Sequence, residues 1–279
     1  MGLRVLPVSL DRHAQPQAAT AAPRPAPQPA MVAAPSFARP APPLQETRHQ
    51  PPLSPSAAPA LPLLGGLPLL KDAVDPPDAP FTAPPLPLEQ KIAALRAMDE
   101  QEVRDCRRCG LCRSRTNTVF GEGNPDAQVF FIGEGPGANE DEQGRPFVGR
   151  AGQLLDKMIE SMGLRREDVF IANIVKCRPP DNREPAPDEV AACTPYLERQ
   201  LEIIRPKVIV TLGRPASQYM LKTKIPMGRL RGQWHTWRGI KLMPTFHPAY
   251  ILRQYTPEVR GAVWSDLQKV MAELGLKKA

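Results

Sequence analysis

The sequence has no long uninterrupted apolar run. The longest in its first third, Leu61 to Leu70, is cut by Pro62, Gly65, Gly66 and Pro68. A membrane-crossing helix needs ~20 consecutive apolar residues, so no spanning segment is expected. The N-terminus also lacks a continuous apolar stretch followed by a small-residue cleavage site, which argues against a secretory signal and for a cytoplasmic protein. Aromatic residues make up only 5% of the chain, and cysteines number five. In a reducing compartment such cysteines read as metal ligands or free thiols and not as disulfides.

What the sequence has in excess is proline, 36 residues in 279, of which 22 lie at or before Pro87. Residues 1–88 are rich in Ala, Pro and Gln, with Phe37 and Phe81 the sole aromatics. Such a composition buries too little apolar area to offset its ordering entropy, so it is expected to be a disordered tail, available as a tether or for docking a partner. From Glu89 onward the chain suffices for one domain with a core of its own. Net charge is +7, and the first 88 residues hold six Lys or Arg against five Asp or Glu. The surplus therefore sits in residues 89–279, as suits a polyanionic partner such as nucleic acid.

Hydrophobic spacing predicts a helix from Glu89, with Ile92, Leu95, Met98 and Val103 on its inner face. Gln128 to Ile132, Val169 to Val175, Lys207 to Leu212 and Ile240 to Met243 read as buried strands. Helices are expected over Ala151 to Met162 with a stop at Gly163, over Pro187 to Ile204 with a disturbance at Pro195, after Gly213, and over Pro257 to Leu274 before Gly275. Apolar strands alternating with helices imply an α/β fold, with a mainly parallel four-stranded sheet covered on both faces. Ligands bind such sheets at the carboxyl ends of the strands. There the sequence puts Gly133 to Gly137 after the first strand, Asn173 and Cys177 at the second, and His247-Pro248 after the fourth.

Cys106 and Cys109 form a C-x2-C pair, Cys177 follows a strand, and Cys193 lies beyond it. Four thiolates suit zinc or a [4Fe-4S] cluster equally by spacing, and Cys112 is a spare. The glycine-rich loop lacks the Lys-Ser/Thr of a phosphate loop, and Pro136 has no N–H to give an anion. What it offers is a close backbone approach with the Glu134 carboxylate facing the crevice, where it could orient a water.

Three longer motifs then stand in order: Gly133-Glu-Gly-Pro-Gly-Ala-Asn-Glu-Asp-Glu-Gln-Gly-Arg-Pro-Phe-Val-Gly-Arg-Ala-Gly152, Asn173-Ile-Val-Lys-Cys-Arg-Pro-Pro-Asp-Asn-Arg183 and Pro244-Thr-Phe-His-Pro-Ala-Tyr-Ile-Leu-Arg253. Together they closely resemble the family 4, iron-sulfur uracil-DNA glycosylases, over about residues 100 to 275. The resemblance implies a three-layer α/β/α sandwich and hydrolysis of the N-glycosidic bond of uracil in single- or double-stranded DNA, leaving an abasic site for base excision repair. It implies that Glu134 positions the attacking water and that His247 hydrogen-bonds the uracil oxygen on which charge develops. Phe147 would stack on the flipped base, Asn173 would read its pairing edge, Gly133 and Gly135 would line the pocket, and Glu140 would guard against the thymine methyl. Family members carry alanine or glycine where Gly135 stands.

By the same resemblance Cys106, Cys109, Cys177 and Cys193 hold a [4Fe-4S] cluster of structural role. DNA contacts fall to Arg178, Arg183, Pro248 and Arg253, with Arg107, Arg108, Arg113, Arg115 and Lys176 adding charge, and Ile251 and Leu252 resemble a wedge that enters the base stack. The enzyme is expected to be monomeric and associated with the nucleoid. Trp234, Trp237 and Trp264 are read as packing residues. The chemistry wants these types independently: bond cleavage builds positive charge on the sugar and negative charge on the base, answered by a carboxylate and a donor. A related branch that captures uracil covalently carries a Lys-Arg-Arg-Ile-His-type insertion, of which Arg229-Leu-Arg231 followed by Gln-Trp-His235 is only a faint echo. A non-catalytic cysteine-metal module would have no use for Glu134, Asn173 and His247 together.

Overall fold

The computed structural model describes residues 79–277, and the stretch read as a disordered tail lies, up to residue 78, outside the described residues. Six strands form one sheet: β1 (Glu122–Gly123), β2 (Val129–Gly133), β3 (Phe170–Asn173), β4 (Val208–Leu212), β5 (His235–Trp237) and β6 (Ile240–Thr245), in the order β1-β3-β2-β4-β6-β5. The four inner strands are parallel, as the apolar runs predict. The expectation of four strands is corrected by β1 and β5, which add antiparallel edges to make the sheet mixed.

The helices are α1 (Leu88–Met98), α2 (Ala138–Gln143), α3 (Arg150–Ser161), α4 (Pro187–Ile204), α5 (Arg214–Met220), α6 (Met227–Leu230), α7 (Pro248–Arg253) and α8 (Pro257–Leu274). Successive strand side chains point to opposite faces, so each apolar run feeds two cores. Phe130 and Ile132 of β2 pack with Ile209, Leu242 and the inner faces of α1, α4 and α5. Val129 and Phe131 pack with Val210, Met243 and the inner faces of α3 and α8. The result is three layers, helices over both faces of the sheet.

Several boundaries differ from the sequence reading. β3 stops at Asn173 and not Val175, and beyond it the N–H groups of Ile174 and Val175 bond the carbonyls of Gly133 and Glu134. α4 runs through Pro195 as one helix, although that proline has no N–H for the carbonyl four residues back. α1 turns Ile92 outward and buries Lys91 instead, whose ammonium bonds Asp126 and the Ile204 carbonyl at the end of α4. A cation there answers the negative end of the helix dipole. α1 then widens into a π-helical turn, Asp99–Val103, that delivers the chain to Cys106.

Residues 79–87 also belong to the packed structure. Phe81 lies between the guanidinium groups of Arg205 and Arg238, 4.0 and 4.1 Å from its ring centroid, and meets Trp237 edge-on. Arg238 and Arg205 further donate to the carbonyls of Ala79 and Ala83. Replacing Phe81 with Ala is expected to cost about 2 kcal/mol of burial and cation–π energy. In a domain of this size that lowers Tm by about 4 to 8 °C, measurable by differential scanning calorimetry.

Candidate functional site

Gly133 and Asn173 face each other as the last paired residues of β2 and β3. A Cβ at Gly133 would lie 2.3 Å from Asn173 Oδ1 and 2.5 Å from the Phe147 ring, so the absence of a side chain lets all three meet. The bonds from Ile174 to Gly133 (3.0 Å) and from Val175 to Glu134 (3.2 Å) lock the two loops together beyond the sheet. At Gly135 a Cβ would come within 2.8 Å of Val175 Cγ2. On the other side, Gly213 adopts φ +87°, donates to the Thr245 carbonyl and lies against His247 Cβ. The ends of β2, β3, β4 and β6 thus close on one crevice.

His247 is the N-cap of α7, and its Nδ1 accepts the Ala249 N–H at 3.1 Å. In the neutral ring the proton therefore sits on Nε2. Burial pulls its pKa down to about 4, helped by the charge of Arg253 and opposed by Glu140, so the ring is neutral at pH 7. Its centroid is 5.6 Å from that of Phe147, tilted 33°. Asn173 is buried beside them, and its Oδ1 is the buried side-chain polar atom without a partner among the described residues. Glu134 is half-buried, and desolvation raises its pKa, with the Glu184 charge adding and Arg214 opposing.

Phe147 has φ +51°, a left-handed conformation unusual for a bulky residue. Gly152 makes room for its carbonyl, 1.8 Å from where a Cβ would stand. Arg166 donates to the carbonyls of Pro146 and Phe147 while its guanidinium pairs with Glu122 of β1 and Asp156 of α3. Glu140 spends both carboxylate oxygens on the backbone, accepting from Gly137, Val148 and Gly149. It therefore braces the Phe147 loop from below. Arg166 escaped the sequence reading and Gly213 was read only as the start of a helix, because neither sits in a recognisable motif and both act through residues distant in the chain.

Cys106, Cys109, Cys177 and Cys193 line one small cavity with Val103, Arg115 and Lys176 among its walls. Arg115 Nη1 donates to Cys177 Sγ (3.1 Å), the Lys176 N–H to Cys193 Sγ (3.1 Å) and the Tyr196 hydroxyl to Cys106 Sγ (3.4 Å). Burial pushes the Cys177 thiol up to about 12 and raises Cys109 and Cys193 as well. Among the described residues no group of three or more His, Cys, Asp or Glu is spaced to hold a single metal ion. Cys112 is partly exposed and does not line the cavity.

The basic residues divide. Lys176 is 1% exposed, which corrects its reading as a DNA contact: no phosphate reaches it. Arg115 serves Cys177, and Arg183 is paired through both its terminal nitrogens with Glu189. Arg107, Arg113 and Arg253 are exposed, and Arg178 is partly so, bonded to Asn182. Arg108 rests on the Tyr196 ring. Pro248 is buried, and Ile251 is packed into the core, which leaves Tyr250, Leu252 and Arg253 as the more outward side chains of α7. Trp237 is core, Trp264 packs against the α3–α8 cluster and Trp234 is exposed.

A sequence profile of the Uracil DNA glycosylase superfamily matches residues 120–268. The type-4 uracil-DNA glycosylase of Saccharolobus solfataricus is 51% identical over 186 residues, covering 63% of this chain and 85% of that protein. Its counterpart in Thermotoga maritima is 50% identical over 171 residues, 61% of this chain and 89% of that protein. The one in Archaeoglobus fulgidus is 45% identical over 186 residues, 64% of this chain and 92% of that protein. A profile that spans all three motif-bearing strand ends and relatives this similar over most of their own length lead to one conclusion: the chain belongs to the uracil-DNA glycosylase superfamily.

Proposed function

We propose that this protein is a uracil-DNA glycosylase that hydrolyses the N-glycosidic bond of uracil in DNA, releasing the base and leaving an abasic site. The observation that carries the reading is the unpartnered Asn173 Oδ1, buried next to the Phe147 ring at the opening that Gly133 leaves. A buried acceptor without a donor is costly, and the N3–H of a flipped uracil supplies the donor, while the Asn173 amide N–H can give to O4. Cytosine presents the opposite pattern on that edge and leaves both pairs unmatched. The Phe147 ring offers a face on which the base stacks.

Cleavage breaks the bond between C1′ and N1, and the electron pair leaves with the base. His247, neutral and with its proton on Nε2, donates to the uracil oxygen on which that charge gathers. Glu134 orients the water that attacks C1′ and favours the positive charge growing on the sugar. Arg178 and Arg253, with Arg107 and Arg113, meet the phosphates, which makes binding salt-dependent. Cys106, Cys109, Cys177 and Cys193 would hold a [4Fe-4S] cluster. Four soft sulfurs around one cavity, with N–H and O–H groups aimed at three of them, are the donor set that such a group takes. When bound it supplies a structural cross-link between the loop after α1, the loop after β3 and α4.

The test is release of uracil from a uracil-containing oligonucleotide by the purified chain. Replacing Asn173 with Ala should lower kcat/KM by about 10²-fold or more, because the pairing edge loses its reader; an unchanged value would remove Asn173 from base recognition. The pH profile gives a second check. Glu134 is needed as carboxylate and its pKa lies above the ordinary 4.5, so activity should fall as pH drops through that raised value. His247 stays neutral until about pH 4 and contributes no limb above it. In Glu134→Gln the acid limb should vanish along with about 10²- to 10⁴-fold of the rate.

A further inference from the structure

The chemistry above makes no use of Lys176, a fully enclosed cation between the base pocket and the cysteine cavity. Its Nζ donates to the Asn173 carbonyl at 3.0 Å and to Gln200 Oε1 at 2.6 Å, both neutral acceptors. Gln200 is itself fixed, donating from Nε2 to the Phe120 carbonyl. Among the described residues no carboxylate bonds this ammonium. Burying a cation is unfavourable unless its hydrogen bonds are met, and Lys176 is also one of the residues that line the cysteine cavity. Its own N–H already reaches Cys193 Sγ, and its neighbour in sequence is Cys177.

We propose that Lys176 is a positioning residue that couples the cysteine centre to base recognition. Its backbone N–H anchors the turn on Cys193 while its ammonium holds the Asn173 carbonyl, which keeps the Asn173 side chain aimed into the base pocket. The turn from Asn173 to Lys176 is thereby closed at both ends, by Gly133 and Glu134 on the pocket side and by Cys193 on the other. This rests on the four-cysteine cluster and on Asn173 as the base reader. Coupling of this kind is reciprocal: uracil bound at Asn173 should slow loss of the cluster, and loss of the cluster should weaken uracil.

The experiment uses the full purified chain, with iron content and absorbance near 400 nm recorded first. A wild-type protein without iron would overturn the cluster reading, and the coupling with it, before any variant is made. Lys176→Met keeps the length of the side chain and removes its charge. It should bleach about tenfold faster in a chelator with oxidant, and weaken inhibition by free uracil and raise KM by about the same factor, with kcat changed far less. Wild-type bleaching and wild-type uracil inhibition in a folded Lys176→Met protein would overturn the proposal. Should that variant fail to fold, Gln200→Leu leaves the ammonium in place and removes one of its two acceptors. It should weaken uracil inhibition by about threefold, and unchanged inhibition there would also overturn the coupling. In wild type, saturating uracil should slow the bleaching, and equal rates with and without it would count against reciprocity and so against the proposal.

Discussion

The site depends on the approach of two strand ends, β2 at Gly133 and β3 at Asn173, closer than any side chain at position 133 would permit. Parallel pairing sets the register, and that register decides which atoms meet. One residue of slip would exchange the faces of the whole strand, turning Phe130 and Ile132 away from the α1–α4 side of the core. The same closeness brings the Asn173 amide against the Phe147 ring, with the His247 imidazole beside that ring, and no long loop is needed to gather them.

Electrostatics in this space come from burial more than from paired charge. His247 is kept neutral by desolvation and Glu134 is made less acidic by it. Among the described residues neither is in contact with an opposite charge, and the His247 ring hydrogen-bonds only the backbone N–H of Ala249. The cations, by contrast, are mostly committed. Arg166, Arg183 and Arg231 are each bound to carboxylates, and Arg231 with Thr245 satisfies the fully buried Asp266 beneath the His247 strand end. An overall positive charge therefore says little about which arginines are free for phosphate.

Much of this could be read from residue order. The inner strands announced themselves as apolar runs, and α3, α4 and α8 by their spacing and their proline and glycine punctuation. β1 and β5 could not be seen, since two and three residues carry no period. Lys91 and Ile92 exchanged roles because an ammonium that finds a carboxylate and a helix-end carbonyl is better buried than an unassisted one. Lys176 misled for a related reason: in a run of basic residues its charge looks like the others, and only the tertiary structure shows it enclosed. The glycines of the first motif were legible as close approaches, whereas what they approach was not.

The left-handed backbone at Phe147 has a thermodynamic side. The carbonyls of Pro146 and Phe147 are held by Arg166, which is anchored in turn to the edge strand β1 and to α3. Strain of this sort, of order 1 to 3 kcal/mol, persists only when the surroundings over-determine it. Folding has therefore already met that expense. Whatever meets the ring therefore finds a backbone already fixed at that turn, and no further ordering of it is needed.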